Sequence, residues 1–445
     1  MPDFPDDFTW GVSTASYQIE GAIAAGGKGE SIWDRFLRAP GRVVDGTTGD
    51  VATDHLRRYR QDVESMAELG VSAYRFSVSW PRVMPSGRGR LAPAGLDFYD
   101  RLVDALLEHD IAPWVCLYHW DLPQALQDVG GWTRRDVAQA FADYAEIVAD
   151  RLGDRVTTFL MLNEPNVHAL LGHLTGEHAP GATDMGAFFA ALHHQNLATG
   201  EAIRRLRGSS AAWRLGTVLN LQPIVAAEDG EEHEAAAALA DAAFHRASLD
   251  PLLLGSYPDA LAPFLSPLLR DGDLDVIHQK VDVLGVNHYT RLRVRADAAS
   301  PAGLALVAPP EGSEVTAMGW EVAPEAFRAQ LIDLKERYGN PPVVVTENGA
   351  AYADPPPVGG RVEDPKRARY LLRYLSALAS AREAGCDVRG YFVWTLVDNF
   401  EWAYGFSRRF GIVHLDLDTL ARTPKRSFDV YREVISANAV PAGSL

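Results

Sequence analysis

Two glutamates occupy similar settings far apart in the chain, each at the end of an apolar run typical of a buried strand. Glu164 stands between Asn163 and Pro165, and Glu347 follows three valines and a threonine and precedes Asn-Gly. A parallel strand buried on both faces has no use for a carboxylate, so a glutamate at its end indicates a site at the strand mouth. Two such ends facing one pocket would supply the paired carboxylates that glycoside hydrolysis requires.

Eight short runs rich in β-branched or aromatic residues alternate with longer helical patterns. The predicted strands cover residues 9–14, 73–80, 113–119, 158–163, 215–221, 281–289, 343–347 and 390–396. The predicted helices between them include residues 59–69, 95–109, 136–152, 324–338 and 365–384. This alternation predicts an α/β fold of the (β/α)8 TIM-barrel type.

Long connections rich in Gly, Pro and Asp, at residues 39–50, 178–184 and 354–360, are predicted to be extended rim loops at the C-terminal face of the strands. No Gly/Ser linker and no internal repeat interrupts the pattern. We therefore expect residues 1–445 to form a single catalytic TIM-barrel domain.

Barrel enzymes carry their chemistry at the C-terminal ends of the strands, and candidate residues stand at seven of the eight predicted ends. They are Gln18 after the first strand, Arg75 in the second, His119 and Trp120 at the third, Asn163 and Glu164 at the fourth, Asn287 and Tyr289 at the sixth, Glu347 at the seventh and Trp394 at the eighth. Their agreement predicts one functional pocket at this face.

The chain resembles glycoside hydrolase family 1, the family of β-glucosidases and related retaining β-glycosidases. The matching segments are FTWG at 8–11, SYQIEG at 16–21, YHWDLP at 118–123, NEP at 163–165, NHYT at 287–290, TENG at 346–349 and DNFEW at 398–402. They occur in order, at family-like spacing, along nearly the whole chain. Such a match is far more specific than one short motif.

The resemblance implies that Glu164 is the general acid/base and Glu347 the nucleophile of a double displacement through a covalent glycosyl-enzyme. It groups Arg75, Asn287 and Tyr289 as supports of the nucleophile. A cation and a phenol would keep Glu347 ionised and oriented. On sequence alone, Arg75 could instead form a salt bridge elsewhere in the barrel, and Tyr289 could be a wall aromatic.

The resemblance also implies a sugar-binding set, because a pyranose has an apolar face and a rim of hydroxyls. The set comprises Gln18, His119, Trp120, Asn163, Trp320, Trp394, Glu401 and Trp402. Asn163 would bond the 2-hydroxyl, Glu401 would accept from the 4- and 6-hydroxyls, and Trp394 would lie under the ring. Trp320 would line the leaving-group side.

Composition argues against several other classes. The formal charge is −17, with 42 basic and 59 acidic residues, so we expect no nucleic-acid partner and no membrane partner. Two cysteines, Cys116 and Cys386, are too few for a disulfide framework. The N-terminal residues 1–7 lack the features of a signal peptide, so we expect a cytoplasmic protein.

No cofactor and no metal is expected, because the carboxylate mechanism needs neither. The pair His193-His194 has no further ligand at metal spacing, and we interpret it as structural, with metal binding as the less favoured alternative. The expected small-molecule partner is a β-glycoside, and a homo-oligomer is possible.

The sequence thus predicts a retaining β-glucosidase acting on terminal non-reducing β-D-glucosyl residues of β-glucosides and short cello-oligosaccharides. β-Galactosides and β-fucosides are expected further substrates, and carbohydrate metabolism with cellulose degradation is the expected context. Two alternatives stay open. A transglycosylase would use the same intermediate with a sugar hydroxyl in place of water, and a non-catalytic barrel would only bind sugar.

Overall fold

A computed structural model describes residues 4–300 and 302–441. Eight parallel strands form a closed barrel in which each strand pairs with the next along the chain and the last pairs with the first. They are β1 (Thr9–Ser13), β2 (Ala73–Ser77), β3 (Ala112–Tyr118), β4 (Thr158–Asn163), β5 (Arg214–Asn220), β6 (Val283–Asn287), β7 (Val343–Asn348) and β8 (Val388–Trp394). The prediction of a TIM barrel is confirmed, and the predicted strand ends differ by only a few residues. Residues 1–3, which begin the segment without signal-peptide features, lie outside the described part.

Eight longer helices accompany the strands. They are α1 (His55–Leu69), α2 (Pro93–Leu107), α3 (Asp136–Leu152), α4 (Met185–Ser209), α5 (Glu231–Asp241), α6 (Pro324–Tyr338), α7 (Pro365–Glu383) and α8 (Arg426–Ala437). Shorter helical segments are Ser16–Ile19, Ala25–Gly27, Ile32–Phe36, Trp80–Val83, Gln124–Gln127, Gly131–Thr133, Pro165–Ala169, Leu170–Leu174, Ala242–Arg246, Ala247–Leu253, Asp259–Leu261, Ala262–Leu265, Asp273–Ile277 and Trp402–Tyr404. Within the described ranges, no helix is both long and apolar enough to cross a membrane.

The barrel interior is a packed core. Its cluster takes residues from seven strands, namely Ala73, Trp114, Cys116, Leu160, Val218, Val283, Val344 and Phe392. Strand β1 contributes Gly11, where an added Cβ would lie 2.3 Å from the Phe392 ring. Only a residue without a side chain leaves room for that ring, which explains the glycine in an otherwise apolar strand.

The additional strands lie in segments that follow the C-terminal ends of barrel strands. Ile224–Ala226, Leu292–Ala296 and Leu304–Val307 form a three-stranded sheet, and Val413–Leu415 pairs with Arg422–Pro424. The predicted rim loops at 39–50, 178–184 and 354–360 consist of turns and coil, with one isolated bridge at Val358. The loops and additional strands therefore lie on the face that carries the two glutamates.

Candidate active site

Glu164 lies where β4 gives way to the short helix Pro165–Ala169. Its backbone is left-handed, with φ of +47°, a conformation that is uncommon for residues other than glycine and is often found at functional sites. The residue is 4% exposed. Its Oε1 accepts hydrogen bonds from Asn287 Nδ2 at 2.7 Å and Asn220 Nδ2 at 2.9 Å. Both of these donors are neutral amides.

Glu347 lies near the end of β7 and is 3% exposed, so it is as buried as Glu164. Its Oε1 receives Arg75 Nη1 at 2.6 Å, and its Oε2 receives the Tyr289 hydroxyl at 2.7 Å. The Arg75 side chain is fully buried. The structure therefore places both predicted supports against this carboxylate, one as a cation and one as a neutral donor.

The two carboxyls differ in how their surroundings act on the pKa. Burial, assisted by the negative charge of Glu347, raises the pKa of Glu164 to about 8, although the amides of Asn220 and Asn287 oppose the shift. Burial also raises the pKa of Glu347, but the Arg75 cation and the Tyr289 hydroxyl oppose this rise. Near neutral pH, Glu164 is therefore the group that carries the proton.

A chain of hydrogen bonds joins the two glutamates. From Glu347 it runs through Arg75, whose Nη2 donates to Asn163 Oδ1 at 2.6 Å. The same oxygen accepts from Asn287 Nδ2 at 3.0 Å, and Asn287 in turn reaches Glu164. Asn287 is predicted to support the nucleophile, and its amide lowers the pKa of Glu347 as well as that of Glu164. Asn287 thus acts on both carboxyls.

Polar sugar-binding candidates meet at the same end of the barrel. Gln18 Nε2 donates to Glu401 Oε2 at 3.1 Å and to the Phe400 carbonyl at 3.0 Å, and Asn163 Nδ2 lies 3.1 Å from His119 Nε2. Gln18 Oε1 and His119 Nδ1 are buried without a hydrogen-bond partner among the described residues. Since buried polar atoms normally have partners, these two atoms are suited to bind ligand hydroxyls.

Aromatic rings surround these polar groups. The rings of Trp394 and Trp402 are both stacked on the His119 ring, with centroid distances of 5.9 and 5.8 Å. The ring centroids of Trp120 and Trp402 are 4.9 Å apart. The Trp120 indole N–H donates to the backbone carbonyl of Asn163 at 2.8 Å. Trp120 therefore packs its ring against Trp402 while its N–H holds the neighbouring strand end.

Trp320 belongs to a different aromatic group. Its ring lies 5.3 Å from Tyr289 and 6.1 Å from Phe410, and it is only partly buried. Because Tyr289 contacts Glu347, Trp320 lies at the rim close to the nucleophile candidate. This position is compatible with the predicted leaving-group side.

One residue that contacts Glu164 is absent from the predicted site residues. Asn220 ends β5 and donates to the carboxylate, while Gln222 Nε2 donates to Asn220 Oδ1 at 2.6 Å. This second bond turns the amide of Asn220 so that its NH2 group faces Glu164. The sequence does contain a signal for this residue: Asn220 is a polar residue between Leu219 and Leu221, at the end of the fifth predicted strand, the one predicted strand end without a candidate.

The histidine pair lies elsewhere. His193 bonds the Tyr257 hydroxyl at 2.9 Å and Asp273 at 3.2 Å, and His194 bonds the Trp132 carbonyl at 2.9 Å. These contacts favour the structural interpretation. In residues 4–300 and 302–441, no group of three or more His, Cys, Asp or Glu is arranged to hold a metal ion.

Comparison with known proteins agrees with this geometry. The model of the family described as Glycosyl hydrolase family 1 matches residues 1–440. Beta-glucosidase A of Acetivibrio thermocellus is 44% identical over 445 residues, and the match covers 98% of each chain. A bifunctional beta-D-glucosidase/beta-D-fucosidase of Bifidobacterium breve is 45% identical, and the match covers 97% of this chain and 98% of that protein. The structure of a Thermotoga maritima beta-glucosidase in complex with glucoimidazole superposes with a TM-score of 0.94 at 43% identity, covering 99% of this chain and all of that one. With these eight strands, this pair of glutamates and this full-length similarity, the chain belongs to glycosyl hydrolase family 1.

Proposed function

We propose that this protein is a retaining β-glucosidase that hydrolyses terminal, non-reducing β-D-glucosyl residues. One observation carries the proposal: two equally buried carboxyls have different partners, a guanidinium and a phenol at Glu347 and two amides at Glu164. This difference keeps one group ionised for attack and the other protonated for donation, which is the division of labour that the reaction requires.

In the first step, the Glu347 carboxylate attacks the anomeric carbon of the glucoside. The bond from that carbon to the leaving oxygen breaks as Glu164 gives the oxygen its proton, so an alcohol leaves and an ester links Glu347 to the sugar. Arg75 and Tyr289 orient the carboxylate before attack. Ester formation removes the negative charge of Glu347, which is one cause of the raised pKa of Glu164.

In the second step, Glu164, now ionised and with its pKa lowered, takes a proton from water. The water oxygen attacks the anomeric carbon, the ester bond breaks, and Glu347 is released as a carboxylate. Each step inverts the anomeric centre, so β-glucose leaves with its configuration retained. Glu164 ends the cycle protonated, as it began.

Sugar recognition follows from the polar and aromatic groups at the strand ends. We assign the 2-hydroxyl to Asn163, the 4- and 6-hydroxyls to Glu401, further hydroxyls to Gln18 and His119, and the apolar ring face to Trp394. Trp120 and Trp402 complete the wall, and Trp320 contacts the leaving group. β-Fucosides are a second expected substrate class, in line with the bifunctional relative from Bifidobacterium breve, and β-galactosides are a third.

We further propose that the barrel is the core of a single catalytic domain and that the protein acts in the cytoplasm on short oligosaccharides from cellulose degradation. One hydrophobic cluster joins side chains from Phe4 to Val440, which supports a single domain. Cys116 and Cys386 are both buried and free, as expected in a reducing compartment.

The test is the turnover of p-nitrophenyl β-glucoside by the wild type, Glu347→Gln and Glu164→Ala, with and without azide. Glu347→Gln should lose activity because an amide cannot attack the sugar. Glu164→Ala should form the glycosyl-enzyme, since the leaving group departs as the stable p-nitrophenolate anion and needs no proton, but should hydrolyse it slowly. Azide, which needs no general base, should restore turnover and give a β-glycosyl azide.

Each alternative has its own outcome. A wild type that binds glucose but cleaves no β-glycoside would support the sugar-binding barrel, and activity surviving in Glu347→Gln would disprove that nucleophile. An excess of disaccharide products over glucose at low substrate would indicate transglycosylation as the main activity. An α-glycosyl azide from Glu164→Ala would contradict a retaining mechanism.

A further inference from the structure

A group of buried charges lies next to the segment that carries Glu401 and has no part in the proposed reaction. It consists of Asp354, Asp364, Arg367, Asp398, Arg409 and Lys425, and we name it the anchor cluster. Apart from Arg409, every side chain in it is at most 2% exposed. Charged side chains are rarely buried this fully, and then only with partners.

The cluster is a continuous set of ion pairs. Lys425 Nζ lies 2.6 Å from Asp354 and 2.8 Å from Asp398. Arg367 binds both oxygens of Asp354 at 3.0 Å and also pairs with Asp364. With Arg409, the cluster contains three acidic and three basic side chains, so its charges balance.

Asp398 is the member that connects the cluster to the sugar site. Besides Lys425, its carboxylate accepts from Gly411 N at 3.0 Å and Arg409 Nη1 at 3.2 Å. Burial alone would raise the pKa of Asp398, but the neighbouring Lys425 and Arg367 lower it, so the carboxylate stays ionised. Three residues further along the chain is Glu401.

The segment from 398 to 401 is not held by a helix or by one of the barrel strands. Phe400 N donates to the Gln18 carbonyl at 3.2 Å, and Glu401 N donates to the Gly405 carbonyl at 2.7 Å. The other end of the segment is fixed by Asp398, through its side chain and through its N–H to the Val413 carbonyl at 3.0 Å. The position of Glu401 therefore depends on where the anchor cluster holds Asp398.

We propose that the anchor cluster positions Glu401 and thereby sets the preference among sugars that differ at C4 and C6. This inference rests on the proposed function. Lys425 and Asp398 are positioning residues, since neither reaches the sugar. Without Lys425, the buried carboxylates of Asp354 and Asp398 lose their shared cation, and the chain must shift to bring one of them toward water.

The test compares two substrates in one variant. In Lys425→Met, kcat/KM is measured for p-nitrophenyl β-glucoside and for the β-fucoside, which lacks the 6-hydroxyl and has the opposite configuration at C4. Because the hydrogen bonds from the sugar hydroxyls to Glu401 are displaced, the glucoside-to-fucoside ratio should fall roughly tenfold. A change in the fraction of folded enzyme scales both values equally and leaves the ratio unchanged.

Arg422→Met is the matched control. Arg422 lies three residues before Lys425 and pairs with Asp62 at 2.9 Å, with both side chains at most 3% exposed. Its loss also removes a cation from a buried ion pair, but on the α1 side, so the ratio should not change. Arg367 is less suitable for the test, because its Nε holds the Ala350 carbonyl, three residues after Glu347.

Further variants keep the test decisive. If Lys425→Met does not fold, Asp398→Asn/Lys425→Met restores the charge balance, and Arg409→Gln removes a partly exposed contact to Asp398; both should still lower the ratio. An unchanged ratio in these variants, or an equal fall in Arg422→Met, overturns the inference. Glu401→Gln serves as the reference and must itself change the glucoside-to-fucoside ratio. If Glu401→Gln changes the ratio and Lys425→Met does not, only this inference fails. A wild type that is inactive on both sugars refutes the proposed function.

Discussion

The surroundings of Glu347 and Glu164 differ although their burial is the same. Glu347 has a buried guanidinium and a phenol against its two oxygens, and Glu164 has two amides against one oxygen. Burial penalises the charged form of both groups. The partners therefore decide which carboxyl can ionise, and exposure alone would assign the two glutamates the same role.

Removing the cation from Glu347 should have the largest effect on this contrast. In Arg75→Gln, kcat/KM should fall roughly 10³-fold, because Glu347, the proposed nucleophile, loses both its orientation and its counter-charge. Arg75 lowers the pKa of Glu347, so its loss raises that pKa and moves the acidic limb of the pH–rate profile to higher pH. A full pH profile checks this, and an acidic limb that stays in place would show that another group keeps Glu347 ionised.

The glutamine variants should change stability in opposite directions. In the folded state the pKa of Glu164 is raised from 4.5 to about 8. The unfolded chain therefore loses this proton first, and the free energy of unfolding falls as the pH rises from 4.5 to about 8. Glu164→Gln should therefore be more stable than the wild type near neutral pH by roughly 1–3 kcal/mol. Glu347→Gln leaves Arg75 buried without its anion and should lose about 3 kcal/mol.

Urea unfolding of both variants measures these differences. Repeating it in acid, below the ordinary pKa of a glutamate, should shrink the gain in Glu164→Gln, because there the wild-type carboxyl is protonated in both the folded and the unfolded state. Two variants that shift stability in the same direction would contradict the contrast.

Tyr289→Phe should have a smaller effect than Arg75→Gln, because it removes one neutral donor and leaves the cation. We expect kcat/KM to fall about tenfold, with a slight shift of the acidic limb to higher pH. The alkaline limb, which we expect to report the pKa of Glu164, should not move. Steady-state kinetics across pH measures both limbs, and a loss as large as that of Arg75→Gln would mean that the phenol, and not the charge, dominates.

Asn220→Ala tests the other side of the comparison. This amide lowers the pKa of Glu164, so its removal should raise that pKa and move the alkaline limb to higher pH, with kcat/KM changed by only about threefold. Gln222→Ala, which frees the Asn220 amide to turn, should shift the limb in the same direction by less. A shift to lower pH in either variant would show that these residues act through packing.

Much of this fold could be predicted from the sequence because its strands are short, apolar and separated by long helical patterns. The helices over residues 136–152 and 324–338 have the predicted ends, since proline and capping positions mark helix boundaries locally. The predicted strand ends are less accurate: residues 73–80 are predicted as one strand, but β2 ends at Ser77 and Trp80 begins a short helix. In the run AYRFSVSW the alternation of polar and apolar residues continues past Ser77, so the pattern carries no signal for the end of the strand there.

The sequence by itself determined the barrel, the two glutamates at the ends of β4 and β7, and most of the residues around them, because residue type and position along a strand are local properties. Only the tertiary structure decided the partners: the contact of Asn287 with Glu164, the role of Asn220, and the joining of Asp354, Asp398 and Lys425 into one cluster. Such contacts join residues tens to hundreds of positions apart. Their distances depend on how the barrel closes, which no local pattern in the chain specifies.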